Sequence, residues 1–115
     1  MIKKKFRKVV YYKDYLRDFL NSQTIQIKKK TIWTLELIED LEKVPETYLK
    51  HLTGTDGLYE IKISQGTNTY RIFCFFAGEK LVILMNSFQK KTRKTPKSEI
   101  LKALKIKQEY EQENK

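Results

Sequence analysis

One cysteine and one histidine among 115 residues leave almost nothing from which to build a zinc site or a disulfide framework. Cys74 sits inside the apolar run Ile72-Phe73-Cys74-Phe75-Phe76, the setting of a small buried thiol and not of a nucleophile. With His51 alone, a metal site would have to come from carboxylates, yet Asp and Glu number 14 against 24 Lys plus Arg and are dispersed. We therefore expect neither metal nor cofactor. No stretch approaches the roughly 20 apolar residues of a membrane span. The start, Met1 to Lys8, lacks a signal peptide's apolar core, so the expectation is a cytoplasmic protein without a membrane partner.

What the chain has instead is positive charge. A formal net charge of +10 makes an acidic partner the first question, and nucleic acid, an anionic membrane and an acidic protein all fit it. The length predicts one domain, residues 1–115, large enough for a single core without staples.

The charge is densest from Asn86 to Lys97, where Lys90, Lys91, Arg93, Lys94 and Lys97 stand among hydroxyl and amide side chains with one aromatic, Phe88, and no carboxylate. Such a tract attracts a polyanion by Coulomb forces and counterion release, and Phe88 has the chemistry to stack on an unpaired base. A solvated basic loop is the plain alternative.

Periodicity organises the rest. Phe6 to Tyr12, rich in β-branched and aromatic residues, predicts a strand. Tyr15, Leu16, Phe19 and Leu20 predict a short helix from Asp14 to Leu20. Between Thr24 and Lys43, Ile25, Ile32, Leu35, Ile38 and Leu41 form the stripe of a long amphipathic helix, with lysines early and glutamates late, against the helix dipole. Pro45 follows, then a connection from Val44 to Gly57 with room for one helical turn around Thr47 to Lys50. Strands are predicted over Leu58 to Ser64, Thr69 to Phe76 and Lys80 to Ser87, separated by glycine-containing turns. Thr95 as N-cap and Pro96 at the first helical position open a last helix, expected to fray after Glu109. Helices and strands segregate, so the fold class is α+β: an antiparallel four-stranded sheet in the order β-α-α-β-β-β-α, with two N-terminal helices on one face and a C-terminal helix.

Alternation along strands assigns faces. Closing the turn after Ser64 sets Lys62 opposite Arg71, and like charges facing each other across a ladder are destabilising unless a bound phosphate offsets them. The same parity places Asn86 and Phe88 beside them. Phe73, Phe75, Val82 and Leu84 would form an apolar other half needing cover from the last helix or a partner. Ile61, Ile63, Ile72, Cys74, Phe76, Leu81, Ile83 and Met85 would face the first two helices. For Lys62 and Arg71 the alternative is two long side chains snorkelling to water.

Gly57-Leu58-Tyr59-Glu60-Ile61-Lys62-Ile63, Tyr70-Arg71-Ile72-Phe73 and Phe88-Gln89-Lys90-Lys91-Thr92-Arg93-Lys94-Thr95-Pro96 together resemble the phage-derived HigB branch of the RelE/ParE toxin superfamily. The resemblance covers almost the whole chain and implies a RelE-like fold. It implies the toxin of a type II toxin-antitoxin system: a ribosome-dependent, metal-independent mRNA endoribonuclease, silenced by a cognate, HigA-like antitoxin with a helix-turn-helix part. In that reaction the ribose 2′-hydroxyl attacks the adjacent phosphate, which calls for a base, cations for the phosphorane and an acid for the leaving oxygen.

Carried over by motif, Arg71 clamps phosphate, Lys62 is a second phosphate contact or the base, and Lys90 and Lys91 bind substrate or transfer protons. Phe88 stacks or positions a base, with Asn86, Gln89, Arg93 and Lys94 as further RNA contacts. His51, just before the second strand, is a candidate acid or base. Two other readings fit the same residues: a ParE-like gyrase inhibitor, and a basic nucleic-acid-binding protein without catalysis.

Overall fold

Eight elements follow one another in the computed structural model, which describes residues 4–115: β1 (Lys8–Tyr11), α1 (Tyr15–Asn21), α2 (Ile25–Asp40), β2 (Leu49–His51), β3 (Tyr59–Gln65), β4 (Asn68–Ala77), β5 (Leu81–Lys90) and α3 (Lys97–Glu113). Met1 to Lys3 of the basic lead lie outside the described residues. The strands form one five-stranded sheet in the order β1-β5-β4-β3-β2. The α+β class is as expected, but the four antiparallel strands are not, in two respects.

First, β1 runs parallel to β5, with Val9 opposite Val82. Alternating hydrophobicity marks a strand but carries no direction, and strands so far apart in sequence share no turn that would reveal it. Second, β2 adds an edge strand where a helical turn was expected. The Pro45 carbonyl does accept from the Tyr48 and Leu49 amides, at 2.9 and 3.2 Å, so one turn forms. It then yields to pairing, because Leu49 sits opposite Ile61 and packs against the core.

α2 starts where expected, with the Thr24 hydroxyl accepting from the Ile27 amide. Its buried face differs from the apolar count. Ile27, Thr31, Thr34, Leu35 and Ile38 face the sheet, while Ile25, Ile32, Trp33 and Leu41 are exposed. The two threonines are tolerated inside because each hydroxyl donates to the carbonyl four residues back, Ile27 and Lys30, both at 2.8 Å.

The helix ends at Asp40, short of Lys43. Arg7 takes up the last carbonyls, donating to Ile38, Leu41 and Glu42 at 3.1, 2.6 and 2.6 Å, and Lys5 pairs with Glu39 and Asp40. Cations from the basic lead thus offset a C-terminal end that is itself acidic. Glu39 also covers the outer edge of β1, its carboxylate accepting from the Val9 amide at 2.9 Å. Arg7→Ala is expected to lower stability by about 1–2 kcal/mol, since several charge-assisted bonds to carbonyls are lost. Urea unfolding reads this, and an unchanged midpoint would show that solvent replaces the guanidinium.

Two cores sandwich the sheet. Ile61, Ile63, Ile72, Cys74, Val82 and Leu84 meet α1 and α2; Leu58, Phe73, Phe75, Ile83 and Met85 meet α3 through Ala103 and Ile106. Val82 and Leu84 therefore lie on the face opposite to expectation, as do Ile83 and Met85. The cause is a bulge: between the pairs Cys74–Leu84 and Ile72–Ser87, β5 carries one residue more than β4. Counting by twos back from Phe88 slips at that point. The apolar half of the sheet's second face is covered by α3, not left for a partner. Burial pushes the Cys74 thiol well above its usual range, which keeps it an inert core group.

α3 begins one residue later than expected, with Pro96 at the cap, and it does not fray after Glu109. Tyr15 donates to Glu109 at 2.9 Å, and Lys13 pairs with Glu109 and Glu113 at 3.3 and 2.8 Å, so its last turns are held to the start of α1. Tyr110 packs edge-on against Tyr12 and Phe75. Among the described residues, no helix is long and apolar enough to cross a membrane.

Candidate functional site

The hairpin between β3 and β4 closes through Gly66 and Thr67, with Gly66 at φ +61° supplying the left-handed conformation that a two-residue turn needs. This sets Ser64 opposite Thr69 and Lys62 opposite Arg71, the register the sequence predicts. On the next strand Phe88 pairs with Arg71 and Lys90 with Thr69. Strand alternation then directs Lys62, Thr69, Arg71, Phe88 and Lys90 to the α3 side, at the end of the sheet that α3 leaves open.

There Lys62, Thr69, Arg71 and Lys90 line a cleft of about 410 Å³ with Lys91, Thr92 and Arg93 of the loop after β5. A second hollow of about 220 Å³ shares Lys62, Arg71 and Lys90 and adds Glu46, Thr47, Lys50 and Glu60. A larger hollow, about 640 Å³, runs along α3 from Lys102 to Gln112 beside Tyr15. It mixes lysines with glutamates, so it offers a polyanion no comparable attraction.

The cleft shifts one lysine. Burial holds Lys90 below the ordinary lysine range, and the neighbouring Arg71, Lys50 and Lys62 charges push the same way, against the pull of Glu60. Glu60 is 6% exposed and lines the adjoining hollow that shares Lys62, Arg71 and Lys90 with the cleft. One of its oxygens lies 3.8 Å from Arg71 Nε and the other accepts from the Thr95 hydroxyl at 2.6 Å. Arg71 Nε is itself buried without a hydrogen-bond partner, which leaves donor capacity at the site.

Of the residues singled out from sequence, Lys62, Arg71, Lys90, Lys91 and Arg93 come together. Phe88 adjoins them, half-buried, with its ring stacked on Phe73 at 5.5 Å and 27°. Lys94 is exposed in the same loop, its carbonyl accepting from Thr92.

Three do not join the site. His51 pairs with Tyr59 in the ladder and packs edge-on against its ring at 5.1 Å, on the α2 side of the sheet; its neighbour Lys50, not His51, has the parity of the cleft. Gln89 pairs with Tyr70, whose side is that of α1 and α2, and bonds to Asn68 at 3.2 Å. Asn86 has the expected parity but is buried, donating to the Glu99 carbonyl and carboxylate of α3 at 3.3 and 3.2 Å. It ties α3 to the sheet.

Glu60, Lys50 and Thr95 are the members that sequence reasoning passed over. Glu60 was within reach, since it precedes Lys62 by two on the same face as a lone carboxylate among cations. Lys50 required the unexpected edge strand. Among the described residues, no three His, Cys, Asp or Glu side chains group as a metal site would require.

Comparison with curated proteins gives no match. The model of the family described as phage derived protein Gp49-like (DUF891) matches residues 18–108, from α1 into α3 and including every residue of the cleft, and the chain therefore belongs to that family of RelE/HigB-like toxins of type II toxin-antitoxin systems.

Proposed function

We propose that this protein is the toxin of a type II toxin-antitoxin pair and cleaves mRNA on the ribosome without a metal ion. The observation that carries this reading is the convergence of Lys62, Arg71, Lys90 and Lys91 on one cleft, within the matched family span. A phosphodiester entering there meets Arg71, whose forked donors suit two phosphate oxygens, and Lys62 across the ladder. Both stabilise the charge that builds on the phosphorane. Lys90, with its pKa lowered, is the base: its neutral form takes the proton of the 2′-hydroxyl as O2′ bonds to phosphorus. Lys91 gives a proton to O5′ as the P–O5′ bond breaks. The products are a 2′,3′-cyclic phosphate and a 5′-hydroxyl end.

The cleft is open on one side, which suits a substrate positioned by a second body, here the ribosome. The antitoxin we assign is HigA-like, with a helix-turn-helix part. Since α3 already covers the apolar half of the face, we assign the antitoxin to the basic cleft, which an acidic segment would fill.

Expression in cells followed by primer extension should show breaks within translated codons. Accumulation of gyrase-dependent DNA breaks with intact mRNA would overturn the reading in favour of a ParE-like inhibitor. On purified ribosomes the cleavage rate should rise with pH and level off below the ordinary lysine value of 10.5, because a depressed pKa frees the base at lower pH. Lys90→Arg, which keeps the charge, should abolish that rise.

A further inference from the structure

A buried carboxylate in a cleft that collects anions opposes its own ligand. Glu60 lies among Lys50, Lys62, Arg71 and Lys90, and its negative charge weakens the attraction of that cluster for phosphate. Burial adds a desolvation cost that an ion pair at 3.8 Å repays poorly. An apolar side chain, like the Phe73 it faces across the ladder, would fill the position with neither penalty.

What an apolar side chain cannot do is hold two polar groups at once. One Glu60 oxygen faces the guanidinium of Arg71. The other binds Thr95, which stands between the basic loop and α3, just before the cap residue Pro96. Upstream, Thr92 donates to the Lys94 carbonyl at 2.9 Å, so the loop is braced within itself and fastened at its far end by Glu60. Lys91 and Arg93, which line the cleft, belong to this braced segment.

We infer that Glu60 is the positioning residue of the cleft, orienting Arg71 on one oxygen and fastening the basic loop to the sheet through Thr95 on the other. The catalytic consequence rests on the RNA-cleaving function; the structural one stands without it. Lys90 is the internal reporter. It is faced by Arg71 from β4, Glu60 and Lys62 from β3, Lys50 from β2, Lys91 and Arg93 from the loop, and Glu46 from the segment before β2; of the two carboxylates, Glu60 is the one whose charge raises the Lys90 pKa.

The test uses the full chain with Glu60→Gln and Thr95→Val. The first keeps shape and an acceptor while removing charge; the second cuts the fastening alone. Without any RNA, the Lys90 side chain followed by NMR should titrate at lower pH in E60Q than in the parent, and unshifted in T95V. Backbone amide exchange from Lys91 to Thr95 should accelerate in T95V. If neither the titration nor the exchange moves, Glu60 is a bystander and the inference is wrong.

On ribosomes, both variants should lose about tenfold to a hundredfold in single-turnover cleavage at saturating substrate, the scale of a small misplacement of reacting groups. Binding of inorganic phosphate should stay equal or tighten in E60Q. Full cleavage activity in folded E60Q and T95V proteins would mean that Glu60 positions nothing, and would overturn the inference. If the parent protein cleaves no RNA, the titration and exchange still decide for or against Glu60 while the RNA-cleaving function fails. If E60Q does not fold, loop exchange in T95V decides alone.

Discussion

Arg71→Ala should abolish growth arrest on expression and lower ribosomal cleavage by about a hundredfold to a thousandfold, the usual cost of removing a preorganised donor from the developing charge. The side chain is 15% exposed, pairs across the ladder with Lys62 and Phe88, and keeps its Nε unbonded. Arg71→Lys should rescue little, because an ammonium on a flexible stem cannot bind two phosphate oxygens in a plane. Removing the guanidinium also strands Glu60, so a stability loss of about 1–3 kcal/mol is expected alongside. Activity must therefore be compared at a temperature where circular dichroism shows R71A fully folded. Growth arrest by a folded R71A protein would remove Arg71 from the site.

That prediction rests on a register visible in the sequence. Gly66 marks the turn, alternation fixes the faces on either side, and Lys62 opposite Arg71 follows from local rules alone. The same rules mislead wherever a nonlocal contact intervenes. The extra residue in β5 near Met85 and Asn86 inverts the faces of Val82, Ile83 and Leu84, and no turn residue announces it. Thr31 and Thr34 count as polar in any periodicity, yet both are buried because the helix supplies their hydrogen-bond acceptors. His51 and Lys50 exchange importance through a single step of alternation on a three-residue strand whose existence depends on β3. Charge was legible as composition, but its division of labour was not. Arg7 and Lys5 serve the end of α2, Lys107 binds Asp56 and Glu111, and a smaller set remains for the cleft.

The largest stability effect is expected from Phe73→Ala. Its side chain is fully buried between the sheet and α3, in one cluster with Met85, Ala103 and Ile106, and stacked on Phe88. Truncation removes a ring's worth of transfer free energy and leaves a cavity that strands on one side and a helix on the other cannot close, a cost of about 3–5 kcal/mol. Set against a total of roughly 5–15 kcal/mol for a domain, that takes a large share of the folding free energy. Phe76, half-buried on the opposite face, should cost less than half as much on the same change. The damage will reach the cleft, since Phe73 stands opposite Glu60 in the ladder and Phe88 opposite Arg71. Loss of ring packing loosens the two strands that carry the clamp, so cleavage should fall even under conditions where F73A remains folded. Urea titration at constant slope measures the first effect and single-turnover cleavage the second. A stability loss below about 1 kcal/mol would mean that α3 does not seal this face of the sheet, because a ring enclosed on both sides cannot be removed so cheaply.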